Sequence, residues 1–60
     1  MNLPQDPFML LSLINTKLRD HYPSLDELCE DLDYNKSHII SSLEAIDYTY
    51  NRELNRFSPN

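Results

Sequence analysis

His21, Cys29 and His38 are the only conventional transition-metal ligands in this sequence apart from its carboxylates. Their separations do not fit a compact zinc motif, whose ligands come in closely spaced pairs. Cys29 is the single cysteine, so neither an internal disulfide nor a cysteine-rich zinc site can form within one chain. Spacing alone yields no Ser-His-Asp or Cys-His arrangement, and with no glycine in the chain there is no glycine-rich loop to cradle a phosphate. Asp26, Glu30 and Asp33 fall close together in helical position, but calcium requires a shaped oxygen-bearing loop and no such loop pattern is present. The residues therefore predict a non-enzyme, with no catalytic residues, no cofactor, no metal site and no small-molecule substrate.

Elements that would position other kinds of site are easier to read. Asp6-Pro7 marks a helix start, because a carboxylate accepts from free amides at the N-cap and proline is pre-set for the first helical position. The expected first helix covers 7–21, with Leu10, Ile14 and Leu18 as its core series. Ser24 and Glu27 have capping-box spacing and open a second helix, 25–32, whose buried stripe is Leu25, Leu28, Cys29 and Leu32. On that stripe the thiol serves as a small hydrophobe. Asp33-Tyr34-Asn35 is a turn ending in a cap, and Ile39, Ile40, Leu43 and Ile46 recur at helical spacing to give a third helix, 36–45.

After residue 47 the period changes. Tyr48 and Tyr50 alternate with Thr49, and a polar stretch leads to Leu54 and Phe57, predicting a hairpin over 48–57 with Tyr50 and Phe57 leaning on the helices. Ser58-Pro59-Asn60 is expected to fray. The expected fold is one mainly α domain, 1–60: three helices in a helix-turn-helix-like arrangement, closed by a short, wing-like C-terminal β-hairpin. Without glycine, any left-handed residue must come from types that tolerate positive φ, and Asn35, Asp47, Asn51 and Asn55 are the candidates.

Composition narrows the partners. The chain has 60 residues, is 40% hydrophobic and carries ten acidic against five basic residues, for a net charge of −5. That is apolar enough to fold, while the charge balance repels phosphate and disfavours nucleic acid as a partner. The amino terminus lacks the basic region of a secretory leader, and the apolar run from Phe8 to Ile14 is too short to cross a bilayer, so the expectation is a cytoplasmic protein without a membrane partner.

The first helix carries more apolar residues than one core face can hide. Phe8, Met9, Leu11 and Leu13 point away from the Leu10, Ile14, Leu18 series and form a candidate interaction surface, for a second copy of the chain or for another protein. Coverage of these residues by Leu3 and the hairpin aromatics within one chain is the competing reading. A rival from another class is a DNA-binding regulatory domain. Its groove contacts would be Lys36, Ser37, His38 and Ser41, with Arg52 and Arg56 on the phosphate backbone. Acidic residues on the neighbouring helix, Asp26, Glu27, Glu30 and Asp31, oppose it. That acidic face offers in turn a weak signal for docking a basic protein.

A family resemblance accompanies these patterns. The opening Asn2-Leu3-Pro4-Gln5-Asp6-Pro7-Phe8-Met9-Leu10-Leu11-Ser12, then Asn15-Thr16-Lys17-Leu18-Arg19-Asp20, Ser24-Leu25-Asp26-Glu27-Leu28-Cys29 and the closing Tyr48-Thr49-Tyr50-Asn51 and Glu53-Leu54-Asn55 resemble a family of very short bacterial proteins, the domain of unknown function 4250. The resemblance spans nearly the whole chain and implies no substrate, cofactor or catalytic residue. Members of that family tend to have glycine between the third helix and the hairpin, where this chain has Asp47, a type that tolerates the left-handed region better than most.

Overall fold

The computed structural model describes residues 3–60. Met1 and Asn2, both in the amino-terminal stretch read for a leader and the second also in the family resemblance, lie outside the described residues. Helix α1 is Pro7–Asp20, α2 is Leu25–Leu32 and α3 is Lys36–Glu44, followed by strands β1, Tyr48–Asn51, and β2, Arg56–Pro59. The strands pair antiparallel as one hairpin, with Tyr50 opposite Phe57 and Tyr48 opposite Pro59.

Each helix begins where a side chain takes up a free amide. Asp6 Oδ1 accepts from the Phe8 amide at 2.9 Å, Ser24 Oγ from Glu27 at 3.2 Å and Asn35 Oδ1 from His38 at 3.1 Å. The helix ends differ slightly from the sequence expectation. Helix α1 stops at Asp20, with His21 as its cap, and α3 at Glu44, with Ala45 as its cap. Helix α2 stops at Leu32 because Asp33 turns left-handed (φ 57°) and its amide returns to the Cys29 carbonyl.

Positive φ occurs at Asp33, Asp47 and Asn55. Two of the four candidates, Asp47 and Asn55, are thus correct. Asn35 stays extended as an N-cap at φ −78°, Asn51 is not among the positive-φ residues, and Asp33 was not anticipated. The chain end also departs from expectation. Rather than fraying after residue 57, β2 continues to Pro59, and the Asn60 amide donates to the Asp47 carbonyl at 2.8 Å. One backbone bond thereby joins the end of the second strand to the turn before the first.

The core gathers one stripe from each helix: Leu10, Ile14 and Leu18 from α1, Leu25, Leu28 and Cys29 from α2, Ile39 and Leu43 from α3. Phe57 and Tyr34 complete it. Tyr34, read from sequence as a turn residue, is buried between α2 and α3. Leu32, Ile40 and Ile46 are half-buried against this cluster, as are Leu3, Tyr48 and Tyr50.

Two asparagines fasten the hairpin to the helices. Asn15 on α1 accepts from the Phe57 amide at 2.8 Å and donates Nδ2 to the Phe57 carbonyl at 3.1 Å, so one side chain satisfies both backbone groups of a buried residue. Asn55 donates Nδ2 to the carbonyls of Leu18, 3.1 Å, and Tyr22, 2.8 Å, at the C-terminal end of α1, where carbonyls lack intrahelical partners. Its Oδ1 accepts from the Tyr50 hydroxyl at 2.7 Å, and that hydroxyl accepts from the Leu25 amide at 3.2 Å. The hairpin is therefore held in a fixed position along α1.

Candidate interaction surface

Successive residues on α1 step by about 100°, so residues four apart share a face and the series Leu10, Ile14, Leu18 commits one side to the core. Leu11 lies next to that series and is half-buried against the core, which removes it from the free surface expected of it. Leu13 is half-buried. Phe8 and Met9 are turned away from the core and are 63% and 62% exposed. Intramolecular coverage is thus realised for Leu11 but not for these two.

A third exposed apolar residue was not foreseen. Leu54, 57% exposed, sits in the turn between β1 and β2. It borders an open cleft of about 530 Å3 between α1 and the hairpin, lined also by Ser12, Thr16, Arg19, Asn55 and Arg56. The apolar run that drew attention to α1 has no counterpart around residue 54, which is why sequence reasoning missed this surface. The cleft exists because Asn15 and Asn55 hold the hairpin beside α1. On a chain with twice as many acids as bases, it has two arginines and no carboxylate among its lining residues.

Helix α3 presents the residues that a DNA-binding reading would use. Ser37, His38 and Ser41 are exposed. Lys36 forms an ion pair with Asp26 of α2, and its ammonium holds the Asp26 carboxyl below the usual carboxylate range. Arg52 lines a small cleft with Lys36 and Asp26, whereas Arg56 lines the α1 cleft. The predicted contacts therefore divide between two surfaces, and one includes a carboxylate. Arg19 is likewise occupied by a two-point contact with Asp20, through Nε at 2.9 Å and Nη2 at 3.0 Å.

The acidic face is real: Asp26, Glu27, Glu30 and Asp31 of α2 are all exposed. Tyr22 donates its hydroxyl to Asp31, and this bond pushes the tyrosine above its ordinary pKa. Cys29 is buried, and burial raises its thiol pKa. His21 and His38 are exposed on different elements, and no group of three His, Cys, Asp or Glu side chains suited to a metal ion occurs among the described residues. Among those residues, no helix is long and apolar enough to cross a membrane.

Comparison with known proteins gives no match among curated proteins and none among solved structures. The model of one family does match, over residues 4–57, which takes in all three helices, the hairpin turn, Asn15, Asn55 and every residue of the α1 cleft. The chain belongs to the family described as Domain of unknown function (DUF4250).

Proposed function

We propose that this protein is a non-catalytic interaction domain of the reducing cytoplasm, which associates with another copy of itself through the outer face of α1. The observation that carries this reading is the exposure of Phe8 and Met9, side by side at the start of a helix whose other apolar residues are buried or half-buried. Large adjacent apolar side chains left in water are stabilised by a partner surface, and twofold self-association is the commonest way soluble proteins supply one. A chain of 60 residues also gains from pooling two small cores.

DNA binding draws less support, since Lys36 and Arg19 are engaged by carboxylates and the remaining cations are divided between surfaces. Light-scattering mass over a dilution series tests the proposal. Twice the chain mass of 7.1 kDa is expected at high concentration, falling toward one chain mass on dilution. Phe8→Glu should hold the protein at one chain mass with unchanged helical circular dichroism. A wild-type protein that remains at one chain mass at millimolar concentration overturns the proposal.

A further inference from the structure

Phe8, Ser12, Thr16 and Arg19 follow one another along α1 at spacings of four, four and three residues, so they form a single stripe on the solvent side of the helix. At about 1.5 Å per residue, Phe8 and Arg19 are separated along the axis by about 16 Å. The two ends of the stripe differ. At the start stand the exposed Phe8 ring and the Asp6 carboxylate. At the other end stand Arg19, Arg56 and the exposed Leu54, around the cleft that the hairpin makes with α1. Small hydroxyl-bearing residues, Ser12 and Thr16, fill the middle.

We infer that two copies pair with their α1 helices antiparallel about a twofold axis near the middle of this stripe, so that Phe8 of each copy enters the α1–hairpin cleft of the other. The inference rests on the self-association proposed above and specifies its geometry. Three features select this occupant. A twofold axis through the Ser12–Thr16 region carries the start of one stripe onto the end of the other, bringing both Phe8–Leu54 apolar pairs together at once. The small central side chains let the helix axes approach closely, because interaxial distance is set by the residues at the crossing. Charge agrees as well: each Asp6 comes toward the partner's Arg56, whose guanidinium near the inserted Phe8 ring meets its negative face, while Arg19 stays paired with Asp20. The cleft is open and has no carboxylate in its lining to oppose that approach. Pairing of Phe8 with Phe8 across the axis would satisfy neither the cleft nor Leu54.

Isotope-filtered nuclear Overhauser spectra on a mixture of labelled and unlabelled wild-type chains, at a concentration where light scattering reports dimer, test the arrangement. Cross-peaks are expected between Phe8 ring protons of one copy and Leu54 methyls of the other. Phe8→Ala and Leu54→Ala should each raise the dimer dissociation constant by about tenfold or more, since a twofold dimer contains each contact twice, and the double variant should lose less than the product of the two. A dimer whose cross-peaks join Phe8 to Phe8, or omit Leu54, overturns this geometry while leaving self-association intact. A protein that stays monomeric overturns both.

Discussion

Asn55 performs three tasks with one side chain and an unusual backbone. Its φ of 52° lets β1 turn back toward β2, its Nδ2 takes two carbonyls at the end of α1, and its Oδ1 receives the Tyr50 hydroxyl. Alanine would lose all three bonds and tolerate that φ less well. Asn55→Ala should therefore lower unfolding free energy by about 2–3 kcal/mol, read from chemical denaturation. Asn55→Gly should recover the backbone part of that loss but not the bonds. Tyr50→Phe removes only the hydroxyl bridge and should cost about 1–2 kcal/mol. Asp47, in the turn between α3 and β1, is also left-handed, at φ 64°. Asp47→Gly should stabilise by about 0.5 kcal/mol, a gain in melting temperature of roughly 2–4 °C for a domain of this size. Asp47 and Asn55 were legible as left-handed because few other types could take those turns in a chain without glycine. Asp33 was not, since its φ follows from where α2 ends, and helix ends are marked less sharply than starts. Tyr34 was missed for a related reason: turn-like neighbours hid a side chain that packs inward.

Between elements, ion pairs differ in how far they depend on the fold. Arg19 and Asp20 are adjacent in sequence, so their contact is available to the unfolded chain too. Lys36 and Asp26 are ten residues apart and meet only when α2 and α3 are docked. Because Asp26 titrates below its ordinary value in the folded protein, its contribution is fully present above the unfolded carboxylate pKa of about 4 and is lost as pH falls through the lowered folded value. Melting temperature followed against pH should show a shallower acid limb for Asp26→Asn, and an almost unchanged one for Asp20→Asn. Tyr22 behaves in the opposite sense. Its raised folded pKa makes its contribution present below the ordinary tyrosine value of about 10 and lost as pH rises through the folded value. Tyr22→Phe should therefore flatten the alkaline limb. All three helix starts were readable from Asp6, Ser24 and Asn35, since capping is a local matter of one side chain and one or two amides. The α1–hairpin cleft was not readable, because it requires Asn15 to meet Phe57 across 42 residues of chain.

For the molecule as a whole, size governs what its surfaces do. Among the described residues ten buried side chains form the core of a body whose longest dimension is 27 Å, so a modest loss of packing is a large fraction of the total stability. A second copy bound to the folded form shifts the folding equilibrium by mass action. The melting temperature of the wild-type protein should accordingly rise by a few degrees per tenfold increase in protein concentration, whereas Phe8→Glu should melt at one temperature throughout. The same small core keeps Cys29 from solvent and its thiol pKa raised. Its reaction with a disulfide reagent at neutral pH should be at least about tenfold slower than that of an unstructured cysteine, and denaturant should abolish the difference. The apolar excess of α1 was visible in sequence. Its division into Leu11 against the core and Phe8 with Met9 in water was not, because it depends on how the elements pack together.

The docking of the hairpin on α1 also determines how β2 meets other chains. A strand with free amides and carbonyls along its outer margin is a template on which further strands can grow, and two-stranded sheets have little else to hide it. Here Asn15 occupies both backbone groups of Phe57, and Pro59 has no amide to offer. A helix side chain thus acts as a terminating strand one residue long, blocking the outer edge of β2 at Phe57 against the addition of a further strand.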